Sequence, residues 1–533
     1  MLGHLDRVQS YYARLFEKQP GADRAVLAFP PEADDHKTLD RLADLGFKAP
    51  LETSNIIRHW LNGSHRTLKG ETARSQIEAL MPTLLEHLAR TDNPNATLIL
   101  FDHFLSNLHG PARLLSMLRQ NPELIALIVL VLGIAPRLGD TLARHPQVMD
   151  ALVDPSFLEL CQMKLSCGSV STQHFRNRAT TRICSNAYAC SAWNTCSSSA
   201  YGSYREQSPH GRLARHYARL ADAVIRAVHR AVTDNFAAVH GHMRAGETAV
   251  VALGKLGGYE MTATSDLDLI LIYDFDDKYP ESDAARPLYG AQYFARLTQR
   301  LINTLTAQTN YGALYQVDMR LRPSGRAGPL ATQVGGFAAY HETEAWTWEH
   351  MALTRARVVS ASPAFKSRIE GVIRDTLCRS RGAELIAGDV VEMRSAIAKE
   401  KGDKERWDLK YVTGGLIDIE FIAQYLQLIH AHRLPDILDT STARVLDKAW
   451  SLRVLTVEDA EILRPAVELY QDLTQILRLC LPGIFDPKTA GSGLLRLLAR
   501  AADVPDFATL EATVIDTQAK VRESFVRILG KAP

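Results

Sequence analysis

A long apolar run is missing from this 533-residue sequence. The longest, residues 124–135, is held between Glu123 and Pro136, and its 12 residues fall short of the roughly 20 a bilayer requires. It reads as a buried helix. The first residues carry neither the apolar core nor the cleavage pattern of a signal peptide, so a cytoplasmic protein with no membrane partner is expected. An excess of one charge is also missing, with 61 Lys and Arg against 60 Asp and Glu. A nucleic-acid groove usually needs a basic surplus, so no nucleic-acid partner is expected. Cysteine is scarce: there are seven, none in a paired spacing that scattered histidines could complete as a metal site. Five of them, Cys161, Cys167, Cys184, Cys190 and Cys196, crowd one short stretch.

An apolar fraction of 46% and a charged fraction of 23% are ordinary for a globular chain, and the length implies roughly three or four units. Residues 1–160 read as helices with apolar residues at helical spacing, such as Leu5, Val8, Tyr12 and Leu15, then Phe101, Phe104, Leu105 and Leu108. A helical scaffold or docking bundle is the expectation there. The segment 161–206 breaks the pattern: residues 162–205 contain no Asp or Glu and keep no period of 3.6 or 2. Its cysteines, Trp193 and three tyrosines do not suit a polar linker, which leaves translation out of frame between two frameshifts as the reading. Order returns with the helical stripe Leu213, Tyr217, Leu220, Val224 and Val228. A catalytic unit of mixed strands and helices is then expected over 207–385, with strands at 249–253, 267–273 and 314–321, and a helical bundle over 386–533.

The chemistry concentrates in one constellation: a glycine turn with Gly254, Lys255, Gly257 and Gly258, then Ser265, Asp266 and Asp268, then Asp318 about fifty residues later. Side chains two apart on a strand share a face, so Asp266 and Asp268 point the same way. Two such carboxylates repel unless a cation lies between them, and burying either unpaired is costly. Carboxylates plus substrate phosphates are the usual ligands of Mg²⁺. If the third strand lies beside the second, Asp318 completes a two-metal site for in-line displacement at phosphorus. The glycines permit close approach to phosphate oxygens, and Lys255 is placed to add positive charge. Arg320 and Arg322 suit either phosphate binding or salt bridges to the aspartates.

An Asp-x-Asp pair alone is more often a solvated turn or helix cap than a metal site, and glycine turns are similarly unspecific. The combination of a glycine turn, paired aspartates and a later aspartate backed by arginines is far more specific and forms the nucleotidyltransferase signature. Downstream, Trp346 and Trp348 are expected to pack inside a helix.

Residues 251–270, 317–328, 344–350 and 414–421 together resemble the bifunctional glutamine synthetase adenylyltransferase/adenylyl-removing enzyme family, and specifically its second, adenylylating half. Segments 4–8 and 142–149 resemble that family's first-half tail and central helical region. Only one Ser-Asp-x-Asp site is present, so the adenylyl-removing domain is expected to be absent. The resemblance implies an α+β nucleotidyltransferase-fold domain, a small mixed sheet flanked by helices, between all-α helical domains. It implies transfer of AMP from ATP to a tyrosine of glutamine synthetase, with a PII-type signalling protein and glutamine setting the direction. It also makes Asp266, Asp268 and Asp318 the Mg²⁺ ligands, with Asp318 a candidate to assist deprotonation of the tyrosine. Two other readings compete: a nucleotidyltransferase with another acceptor, and a remnant whose helices only bind partners. Resequencing the gene is expected to uncover paired frameshifts around codons 162–205; one intact frame with independent read support removes that idea.

Overall fold

The computed structural model describes residues 29–30, 35–108, 111–120, 122–135, 137–139, 141, 209–308 and 313–530. The expectations made for segments 4–8, 142–149 and 162–205 lie outside the described residues. Six helices form the first unit: α1 (His36–Asp44), α2 (Pro50–Leu61), α3 (Glu71–Ala89), α4 (Pro94–Ser106), α5 (Pro111–Gln120) and α6 (Pro122–Ile134). Their starts follow from local chemistry. Asp35 and Asn93 accept the backbone N–H of Thr38 and Ala96, and proline opens α2 and α4, where its missing N–H costs nothing. Phe101, Phe104, Leu105 and Leu108 are all buried, as their spacing requires. In α6, Ile125, Ile128, Val129, Val131 and Leu132 are buried too, and among the described residues no single helix is long and apolar enough to cross a membrane.

The long helix α7 (Pro209–His240) leads into a five-stranded mixed sheet, with β1 (Glu247–Ala252), β2 (Leu267–Asp274), β3 (Val317–Asp318), β4 (Ala331–Gln333) and β5 (Arg357–Ser360). The order is β3-β2-β1-β5; β1 runs antiparallel to β2 and β5, while β3 and β4 pair in parallel with successive parts of β2. Helices between the strands are α8 (Gly254–Gly257), α9 (Gly290–Thr306), α10 (Val334–Thr343) and α11 (Thr347–Leu353). From Leu269 to Tyr273 every residue of β2 is buried, which suits a strand covered on both faces. His229 of α7 bridges the hydroxyls of Thr248 on β1 and Ser360 on β5 at 3.0 and 2.9 Å. Burial pushes its imidazole down to about 4, so the ring stays neutral.

The expected third strand is much shorter than residues 314–321. Pairing stops at Asp318 because its own carboxylate captures the backbone N–H of Arg320 at 2.8 Å, turning the chain out of the sheet. The expected inward packing of the tryptophans is also overturned: Trp346 is 73% and Trp348 40% exposed, and buried Glu349 instead caps α11 and accepts the Tyr340 hydroxyl.

The last unit is helical: α12 (Pro363–Leu377), α13 (Ala383–Lys401), α14 (Leu416–His430), α15 (Thr442–Ser451), α16 (Val457–Cys480), α17 (Ser492–Ala501) and α18 (Phe507–Leu529). Asp92 of the first unit accepts the Ser492 hydroxyl and the Gly493 N–H at the start of α17. The sheet is stapled to this bundle by Arg355, which lies buried between Glu260 and Glu420, while Glu260 also accepts the N–H of Thr442 on α15. Replacing Arg355 alone leaves two buried carboxylates without their cation. Arg355→Met is therefore expected to lower unfolding free energy by about 3–5 kcal/mol in urea melts. Adding Glu260→Gln and Glu420→Gln should recover part of that loss; no recovery would mean that the ion pairs are not its source.

Candidate active site

β2 positions the central carboxylate. The N–H of Leu267 bonds to Gln316 O at 2.9 Å, fixing the parallel register in which Asp268 lies directly opposite Asp318. The carbonyl of Asp268 accepts the N–H of Leu253, so the same residue also anchors the turn that follows β1. That turn is a single helical turn, and Gly254 has φ +51°, a conformation that favours glycine. A Cβ at Gly254 would fall on the Asp268 carboxylate, so the turn and the acid fit only because that position has no side chain. Gly257 and Gly258 serve a different contact than the expected phosphate: a Cβ there would strike the Arg355 carbonyl or its guanidinium.

Asp266 lies exposed immediately before β2, and Ser265 is engaged with Thr262, its Oγ accepting the Thr262 N–H at 2.9 Å. A cavity of ≈ 300 Å³ opens beside them, lined by Ser265, Asp266, Tyr315 and Gln316 and by Arg137 and Thr141 of the first unit. Lys255 lines a separate cavity of ≈ 20 Å³ against the helical bundle, with Glu260, Thr262 and Gln475, room for about one water. Burial there pushes its ammonium down to about 8, with the nearby charge of Lys410 adding to the effect.

The electrostatics single out Asp268. Among the described residues its carboxylate has no hydrogen-bond or ion-pair partner, and burial together with the charge of Asp318 pushes its pKa up to about 6. Lys410 and Arg355 oppose that shift without cancelling it. Asp318 behaves oppositely: burial raises it, but hydrogen bonds from Arg320 outweigh burial and hold it below the usual carboxylate range. Arg320 grips Asp318 through Nε at 2.7 Å and a terminal nitrogen at 2.5 Å. Arg322 is a correction to its expected phosphate role. Its buried guanidinium donates to the carbonyls of Met319, Gly328 and Pro329, holding the loop after β3 in shape.

These donors suit a hard cation. A buried, uncompensated carboxylate with a second one in register gives the oxygen-rich, negative surroundings that Mg²⁺ completes with phosphates and waters. The three aspartates do not form a closed cage, however: among the described residues no group of three or more His, Cys, Asp or Glu side chains is arranged to hold a metal.

Residues 125–372 match the family described as glutamate-ammonia ligase adenylyltransferase, and residues 391–481 match the one described as GlnD PII-uridylyltransferase. Over 99% of the chain it is 50% identical to a bifunctional glutamine synthetase adenylyltransferase/adenylyl-removing enzyme of Rhodopseudomonas palustris, covering 54% of that protein. Similarly named proteins of Bradyrhizobium diazoefficiens and Xanthobacter autotrophicus are each 47% identical over the whole chain, which again spans 54% of their length. Residues 125–372 carry this adenylyltransferase family's domain. The chain spans about half the length of the curated relatives it matches. Within the family match lie both the glycine turn and all three aspartates, whereas Glu420 and Lys410 fall in the second matched segment. Sequence reasoning passed over Glu260, Arg355, Glu420 and Lys410; the signal available was a pair of acids, Asp418 and Glu420, inside the otherwise apolar run of α14.

A carboxyl whose pKa is raised in the folded state favours folding below its unfolded pKa near 3.8 and loses that contribution as pH rises through about 6. In EDTA, Asp268→Asn is therefore expected to stabilise the chain at pH 7.5, by on the order of 2 kcal/mol, and by much less at pH 4.5. Equal urea midpoints for variant and parent at pH 7.5 would contradict the charge repulsion described here.

Proposed function

We propose that this chain transfers AMP from ATP to a tyrosine hydroxyl of glutamine synthetase and so regulates nitrogen assimilation. The observation that carries the reading is the register match of Asp268 with Asp318, the former largely buried and with no hydrogen-bond or ion-pair partner among the described residues, in a chain whose residues 125–372 match the adenylyltransferase family. In the reaction the tyrosine oxygen forms a bond to the α-phosphorus, the bond to the bridging oxygen breaks, pyrophosphate leaves, and the phenol proton passes to a base. Asp266, Asp268 and Asp318 are the residues proposed to hold Mg²⁺, which when bound would offset the charge of the phosphates and of the departing pyrophosphate.

The chain's own residues have separate parts. Asp318 is the residue proposed to assist deprotonation of the phenol, and in the free chain hydrogen bonds from Arg320 hold it below the usual carboxylate range. Gly254 leaves room for Asp268 to hold its position, and Arg355 ties the turn carrying that glycine to the helical bundle. The cavity beside Ser265 and Asp266 is the proposed entry for nucleotide, and it includes side chains of the first unit. Lys255, Gly257 and Gly258 support the turn rather than touch phosphate. A PII-type signalling protein as regulator is supported by the match of residues 391–481 to a family named for PII uridylylation; glutamine as effector is proposed on the family resemblance alone.

Labelled AMP from ATP should appear on purified glutamine synthetase in the presence of Mg²⁺. The signal should fall at least about a hundredfold in Asp266→Ala and Asp268→Ala, the scale on which losing transition-state charge stabilisation acts. Transfer that survives both substitutions, or none from a folded and monodisperse parent chain, would overturn the assignment.

A further inference from the structure

Arg320 is two-thirds exposed, yet its side chain does not reach into solvent. It folds back on Asp318 through Nε at 2.7 Å and a terminal nitrogen at 2.5 Å, while its backbone N–H takes the other carboxylate oxygen at 2.8 Å. All three bonds converge on one carboxylate, which itself lies in register with Asp268. The guanidinium feels the charges of Asp318, Asp268 and Asp266 together. The Arg320 guanidinium is the cation in direct contact with Asp318, and its neighbour Arg322 cannot replace it, being committed to backbone carbonyls.

We propose that Arg320 is a displaceable internal counterion: it holds Asp318 away from a divalent cation until the cation and nucleotide arrive together, and is then released towards the phosphates. This rests on the metal-dependent reading of the site. The geometry accounts for the missing cage, since Asp318 cannot offer Oδ2 to an ion while the guanidinium occupies it and the backbone N–H of Arg320 takes Oδ1. The exchange is cheap in the required direction: an exposed ion pair of this kind contributes little net stability, so a divalent ion with its nucleotide phosphates can compete with it. Until then the bond keeps the carboxylate pair from repelling at full strength. Lysine would supply the charge but not the planar fork that occupies the carboxylate.

Mn²⁺ binding to the full chain, followed by electron paramagnetic resonance and by calorimetry without nucleotide, tests the idea apart from activity. Arg320→Gln should bind Mn²⁺ about two- to fivefold more tightly than the parent, the range that loss of one competing ion pair allows, with Arg320→Lys between the two. With a non-hydrolysable ATP analogue and saturating Mn²⁺, Arg320→Gln should instead bind the analogue more weakly. Asp268→Asn should lose Mn²⁺ binding whatever stands at position 320. If Asp268→Asn loses the ion but Arg320→Gln binds it no more tightly than the parent, the counterion role is overturned while the metal site stands. If neither the folded parent nor Arg320→Gln binds Mn²⁺, with or without the analogue, both the role and the metal-dependent reading fail.

Discussion

The buried guanidinium of Arg355 is the contact on which the arrangement of the site depends. It satisfies Glu260 from the loop after the glycine turn and Glu420 from the C-terminal bundle, and its backbone carbonyl is the surface against which Gly257 packs. Buried ion pairs of this kind confer little net stability over apolar packing, but they are severe about geometry, because a displaced partner leaves a charge in a low-dielectric interior. That severity suits a residue joining three separate parts of the chain. A second pair, Arg357 with Asp222 at 2.7 Å, repeats the logic two residues later and fixes α7 to the opposite edge of the sheet. A third, Arg394 with the fully buried Asp418, locks α13 to α14 within the bundle.

The site itself is built on an opposite principle. Where Arg355, Arg357 and Arg394 each pair with buried carboxylates in the scaffold, Asp268 is left without a donor among the described residues, and the upward shift of its pKa records the cost. Local destabilisation of this kind is common where a binding site waits for a charged ligand. Asp318, one strand over, escapes the same cost through Arg320. Two carboxylates in register thus occupy different electrostatic states for one reason: the chain leaves the sheet immediately after Asp318 and brings an arginine back, whereas β2 continues inward after Asp268 among Leu269, Ile270 and Leu271.

Much of this was legible in the residues. Apolar spacing located the helices of the first unit, the stripe of α7 and the two central strands, since burial on a helix face or in a covered strand leaves a direct periodic trace. The glycine turn, Ser265, Asp266, Asp268 and Asp318 could be grouped because their combination, unlike any one of them, is specific. The tryptophans misled because hydrophobicity says what a side chain prefers, not whether Glu349 will take the interior position beside Tyr340. The third strand was overextended because alternation in 314–321 is equally compatible with a turn, and the deciding event is a side-chain bond to Arg320 N–H.

By itself, then, the sequence singled out the candidate residues for the chemistry and the family it resembles, because these depend on residue type, spacing and local periodicity. Tertiary structure decided the partners: that Arg320 goes to Asp318 and Arg322 to carbonyls, that Lys255 faces the bundle, and that Arg355 bridges residues 95 and 65 positions away. Two arginines separated by one residue are chemically identical in the sequence. Only the path of the backbone, with the burial and charges it creates around each, makes one a counterion and the other a brace.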